Sequence, residues 1–96
     1  MDLTTGICAL KFGAVWCKPC EALEPKLKKM EGEFPDVSFY SVNVDEHPSL
    51  AKEYQIRSVP TVILLKDGRE ITRIVGAALI IPLRKAFRDL MREKAA

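Results

Sequence analysis

The sequence predicts a mixed α/β fold, a sheet of about four strands flanked by helices, and three observations lead there. Apolar periodicity alternates along the 96 residues as strand, helix, strand, short helix, two strands and helix. A helix of crossover length separates the first two strands, which makes them parallel with a right-handed connection. Asp67-Gly68 joins the last two strands, a two-residue hairpin signal that makes them antiparallel. With 48% hydrophobic residues in a chain this short, one core is all it supports, and residues 1–96 are expected to form a single domain.

Ile7 to Val15 is apolar and β-rich apart from Lys11 and Gly13, and reads as a buried strand running into Trp16-Cys17-Lys18-Pro19-Cys20. Leu23, Leu27, Met30 and Phe34 then recur at helical spacing, with charged residues between them, giving an amphipathic helix from about Lys18 to Glu33. Pro25 lies inside it and predicts a kink, not a stop. Val37 to Val44 reads as a second strand, closed by Asp45-Glu46-His47-Pro48, and Ser49 to Tyr54 has the length of a short helix. Thr61 to Lys66 and Glu70 to Val75 are the hairpin strands. Gly76 ends the second of them, and a terminal helix starts near Leu79 with Leu79, Leu83, Ala86, Phe87, Leu90 and Met91 on one face. Pro82 is tolerated there because it falls in the first turn.

Composition excludes several classes of function. The apolar runs, such as Val59 to Leu65, stop far short of the roughly 20 residues that span a bilayer. Asp2 stands where a signal peptide would carry a cation, so a cytoplasmic setting is expected, with no membrane partner. A net charge of +2 is too small to imply a nucleic-acid partner. The basic residues near the C-terminus, Arg84, Lys85, Arg88, Arg92 and Lys94, are interleaved with Asp89 and Glu93, as on a solvated helix face.

Two of the three cysteines form Cys17-x-x-Cys20 at a strand-to-helix junction, a context that points to a redox dithiol. Cys17 is expected at the first helical turn, where unpaired N–H groups and the helix dipole stabilise a thiolate. Lys18 adds a positive charge beside it, and such settings lower a cysteine pKa to roughly 3.5 to 7.5. Cys20, one turn on, is expected to be less exposed and able to close a disulfide with Cys17, giving a nucleophile and a resolving thiol.

Trp16-Cys17-Lys18-Pro19-Cys20, Pro25, Asn43-Val44-Asp45, Ile56-Arg57-Ser58-Val59-Pro60-Thr61, Lys66-Asp67-Gly68 and Val75-Gly76-Ala77 together resemble the thioredoxin family, in its order and nearly its spacing. Thioredoxins are themselves among the proteins from which the low-pKa rule for Cys-x-x-Cys motifs was drawn. The resemblance implies a protein-disulfide reductase in which Cys17 attacks a substrate disulfide and Cys20 releases the reduced substrate. It implies no bound cofactor beyond the redox-active disulfide Cys17/Cys20, no metal, and a monomer served by a thioredoxin reductase, NADPH- or ferredoxin-linked. It further implies a cis Pro60, substrate pairing in β fashion at Val59, and an apolar docking surface of Trp16, Pro19, Val59, Gly76 and Ala77.

The sequence departs from the family at three places. About six residues precede the first strand, so the family's usual N-terminal strand and helix are shortened or absent and four strands are expected. Lys18-Pro19 stands where Gly-Pro is commonest, and its charge favours the Cys17 thiolate. The buried Asp that the family places six residues before the nucleophile is Lys11, and the Lys usually opposite it corresponds to Ser41. Lys11 has two readings. In one it lies beneath the cysteine pair and stabilises the thiolate, and the Cys20 proton goes to its neutral amine, to water or to a nearby Glu. In the other its stem packs in the core and its ammonium reaches solvent, and this second reading is placed slightly ahead.

A zinc site is disfavoured because Cys8 and His47 are the only further soft ligands and form no second close pair. Cys8 reads as a small core residue, and His47 as a loop residue or helix cap. Trp16 belongs at the rim of the site rather than in the core. One of Ile80 and Ile81 is expected in the core, the other being unassigned. Glu21 and Glu24 read as solvated helix charges, with Glu24 a weak candidate for proton transfer. Two rival functions remain, a thiol oxidase or disulfide isomerase, and a binding module in which the dithiol is incidental.

Overall fold

The computed structural model describes residues 1–93. It contains β1 (Ile7–Gly13), α1 (Lys18–Glu33), β2 (Ser38–Asn43), α2 (Pro48–Glu53), β3 (Thr61–Lys66), β4 (Arg69–Val75) and α3 (Ile80–Arg92). The four strands lie in the order β2-β1-β3-β4. β1 and β2 are parallel, with Lys11 opposite Ser41, while β1 with β3 and β3 with β4 are antiparallel. This is the thioredoxin fold predicted above, a four-stranded mixed sheet with three helices, and residues 1–6 contribute no helix or strand before β1.

The burial pattern explains the order. β3 is buried along Thr61 to Leu65 and β1 at all but two of its positions, so these apolar strands take the centre, where both faces are covered. Polar residues alternate along β2 and β4, which form the edges. One core, on the face of α1 and α3, gathers Ala9, Leu23, Met30, Leu64, Leu83 and Phe87. The other, on the face of α2, gathers Cys8, Leu10, Phe12, Ile63 and Leu65, with Tyr54 packed against it. Cys8 is thus a buried free thiol, and burial followed by the Asp2 charge pushes its pKa up.

Several predicted ends shift. The first strand stops at Gly13, not Val15, because the chain must turn there to begin α1: the Cys17 N–H reaches back to the Ala14 carbonyl at 3.2 Å. Val44 likewise leaves β2, its N–H bonding Gly13 O at 3.0 Å across the strand ends. Val37 also lies outside β2, and Arg69 joins β4 by pairing with Lys66. The short helix starts at Pro48 and ends at Glu53, with His47 at its N-cap but making no side-chain capping bond. Asp67 (φ 51°) and Gly68 (φ 83°) both adopt the left-handed conformation that a tight hairpin turn demands, and Asp67 Oδ1 accepts the Gly6 N–H at 2.9 Å. The helix α1 runs unbroken through Pro25. Of the two isoleucines, Ile80 packs on the core and Ile81 is 74% exposed.

Candidate functional site

The C-terminal ends of the parallel strands β1 and β2 open onto the N-terminus of α1, and the cysteine pair sits at that junction. Cys17 is the N-cap residue of α1, in extended conformation, and Cys20 lies one turn in. A disulfide joins them, with Cα atoms 5.3 Å apart. Cys17 Sγ also accepts the Cys20 N–H at 3.1 Å, satisfying one of the helix's unpaired donors as a capping oxygen would. The expectation that Cys17 is the more exposed of the two is corrected: it is 3% exposed against 5% for Cys20, because the capping contact folds its sulfur back over the helix end.

Around the pair, three segments are tied together. The Val59–Pro60 peptide is cis, as the resemblance implied, and the Pro60 carbonyl accepts the Gly76 N–H at 2.8 Å. Lys26 of α1 donates to Ala78 O at 2.9 Å, which holds the Gly76-Ala77 loop against the cysteine-bearing helix. Among the described residues neither backbone group of Val59 has a hydrogen-bond partner. Trp16, 67% exposed at the rim, donates its indole N–H to Asp45 Oδ2 at 2.8 Å. Trp16 and Val59 line one cleft of about 160 Å³ with Val44, Ala51 and Ile56. Pro19 and Ala77 are exposed, Gly76 half-buried and Pro60 buried.

On the opposite flank of the dithiol lies Lys11. Its side chain is 17% exposed, and its ammonium meets Glu24 Oε2 at 2.5 Å. Lys11, Cys20 and Glu24 line a common cleft of about 340 Å³ with Ala14, Val15 and Glu21. A second cleft, of about 230 Å³, joins Lys11 and Cys20 to Gly13, Ser41 and Asn43. Gly13 keeps this space open: a Cβ there would stand 3.4 Å from Cys20 Sγ and 3.6 Å from Lys11 Cε. Lys18 points outward, its ammonium 3.8 Å from Glu21.

Reading the sequence located the cysteines, Trp16, Lys11 and the Val59 and Gly76 loops, but it left three features of the site unread. Asp45, at the end of Asn43-Val44-Asp45, carries no sign in the sequence of its bond to Trp16. Val15, assigned to the strand interior, is 84% exposed beside the dithiol. The pairing of Lys11 with Glu24 in particular is the third, since no periodicity joins a strand residue to a helix residue thirteen positions on. A wider concavity of about 510 Å³ along α3, lined by Ile81, Arg84, Lys85, Arg88, Asp89 and Arg92, shares no residue with the clefts around the cysteines. Among the described residues no cluster of three metal-ligating side chains occurs, and no helix is long and apolar enough to cross a membrane.

A cysteine pair closing a disulfide at the start of a helix, beyond the ends of parallel strands, defines a dithiol/disulfide oxidoreductase. The thioredoxin family profile matches residues 3–88. A thioredoxin of Chlamydia caviae is 45% identical over 74 residues, covering 77% of this chain and 72% of the relative. Thioredoxin H2 of Arabidopsis thaliana is 47% identical over 66 residues, 69% of this chain, and the chain spans only 50% of that plant relative's length. Among solved structures, oxidised mitochondrial thioredoxin 3 of Saccharomyces cerevisiae superposes with a TM-score of 0.84 at 38% identity, covering 91% of this chain and 81% of that one. The chain belongs to the thioredoxin family, whose redox group is the disulfide itself, here Cys17–Cys20, with no bound cofactor.

Proposed function

We propose that this protein is a protein-disulfide reductase, and the observation that carries the reading is the Cys17–Cys20 disulfide capping the N-terminus of α1. In the reduced form the Cys17 thiolate, favoured by the helix end and by Lys18, attacks one sulfur of a substrate disulfide. A mixed disulfide forms and one substrate thiolate leaves. Cys20 then attacks Cys17 Sγ, the second substrate thiolate leaves, and the Cys17–Cys20 bond re-forms. A thioredoxin reductase, NADPH- or ferredoxin-linked, returns two electrons to the pair.

The substrate chain docks on Trp16, Pro19, Val59, Pro60, Gly76 and Ala77. The unpartnered backbone of Val59 and its position in one cleft with Trp16 support strand-like pairing there. The reading includes a single domain acting as a monomer in the cytoplasm, a compartment whose thiol buffer keeps such dithiols reduced. One structural relative is a mitochondrial form.

The test is a Cys20→Ser variant, which stalls at the mixed disulfide and captures substrate proteins, whereas Cys17→Ser captures none. The reduction potential separates the rival direction of chemistry, each 30 mV or so being a tenfold change in equilibrium. A value as reducing as the cytosolic thiol pool supports a reductase. A far more oxidising one supports an oxidase or isomerase.

A further inference from the structure

Resolution of a mixed disulfide needs the Cys20 thiol to lose a proton, yet Cys20 is only 5% exposed. The titratable groups lining the clefts beside it are few. Lys11 comes from β1, Glu21 and Glu24 from α1, and β2 adds the non-titrating Ser41 and Asn43. Glu21 faces outward, its side chain 65% exposed and its carboxylate near Lys18. Glu24, its side chain 45% exposed, differs because the Lys11 ammonium holds its carboxylate at 2.5 Å and both line the cleft that Cys20 also lines. The cleft of about 340 Å³ that Lys11, Cys20 and Glu24 line together has room for a water bridging the Cys20 thiol and the Glu24 carboxylate.

We infer that Glu24 is the proton acceptor for Cys20 and that Lys11 is the positioning residue that holds Glu24 in place. The inference rests on the reductase reading above. In the mixed disulfide, the Cys20 S–H proton passes through a water in the cleft to the Glu24 carboxylate. The Cys20 thiolate attacks Cys17 Sγ, forming the Cys17–Cys20 bond and breaking the bond from Cys17 to the substrate sulfur. That sulfur leaves as a thiolate and takes up a proton from solvent or from the Glu24 carboxylic acid. Across the cycle two electrons pass from the dithiol to the substrate disulfide, and no further oxidant or reductant is required. Lys11 and Glu24 thus form a charge pair spanning strand and helix, with the acid carried by the helix.

The experiment is stopped-flow reduction of a dithiobis-nitrobenzoate probe by the reduced protein across pH. The first thiolate released reports attack by Cys17 and the second reports resolution by Cys20. Glu24→Gln is expected to slow the second phase relative to the first by about tenfold or more near neutral pH, the gap closing as the pH passes the ordinary cysteine range near 8.5. Glu24→Asp is expected to restore part of the rate. Lys11→Met is expected to act in the same direction, less strongly. A Glu24→Gln variant whose second phase keeps the parent pH profile, or is scaled equally at every pH, overturns the inference and leaves the reductase reading standing. Absence of the first phase in the unsubstituted protein overturns the reductase reading itself.

Discussion

The Trp16 indole N–H donates to Asp45 Oδ2 at 2.8 Å, so the residue before the dithiol is held by the loop that follows β2. Trp16 is two-thirds exposed, and this bond is the polar tie that fixes its orientation beside Val59. Asp45→Ala is expected to free the ring at a cost of about 0.5–1.5 kcal/mol, a factor of two to ten in efficiency toward a protein disulfide. Tryptophan anisotropy should fall in the same variant, with little change in the rate of Cys17 alkylation.

Lys18 stands beside Cys17 with its side chain 88% exposed and only a 3.8 Å approach to Glu21. Its charge acts on the thiolate through solvent, which limits it to about 0.3–1 kcal/mol. Lys18→Gln should therefore slow iodoacetamide alkylation of reduced Cys17 at pH 7 by two- to fivefold. The difference should shrink in about 1 M salt, where the screening length falls to about 3 Å.

Phe87 of α3 is fully buried and stacks on Phe34 at 5.6 Å and on Phe39 at 5.4 Å, joining the end of α1 to the edge strand β2. Phe87→Ala is expected to cost about 3–5 kcal/mol, the lost burial of the ring together with the cavity it leaves beside the other two. For a small domain that is a large share of total stability, and urea unfolding should show a strongly lowered midpoint. Cys17 and Cys20 should still form their disulfide in the folded fraction.

Arg84 of α3 holds Glu33 at the end of α1 through two bonds of 2.7 and 2.8 Å. Hydrogen bonding to the guanidinium is the main cause that lowers the Glu33 pKa below the usual carboxylate range. A carboxylate depressed in the folded state contributes stability above its unfolded pKa, near 4.3 for Glu, and loses it as pH falls through the lower folded value. Glu33→Gln should therefore lower the melting temperature slightly at pH 7. The difference from the parent should shrink as pH falls through that lower folded value, since Glu33 then becomes neutral like the Gln that replaces it.

Much of the fold could be read from the order of its apolar segments. Lys18–Glu33 and Thr61–Lys66 are found with the ends their periodicity indicates. Errors cluster where apolar residues leave a strand to build the site: Val15 and Val44 look like strand interior because nothing in their chemistry records the turn that seats Cys17. Contacts between distant residues were the harder part. The Lys11–Glu24 and Trp16–Asp45 pairs exist only once β1, α1 and the loop after β2 are set side by side, and each partner alone looks like an ordinary surface charge or rim aromatic. The relative exposure of the two cysteines is not legible in the sequence, because the acceptor that caps the helix is the Cys17 sulfur itself.

That sulfur makes the first turn of α1 part of the redox couple. Because Cys17 Sγ accepts the Cys20 amide, each electron transfer changes the acceptor on which the helix terminus depends. The amide of Cys20 is therefore a natural gauge of oxidation state, and its hydrogen-exchange rate should follow the cycle while the central strands β1 and β3 stay protected. Substitutions in this turn, Pro19 included, can consequently retune the couple without touching either sulfur, through the strength of a single hydrogen bond.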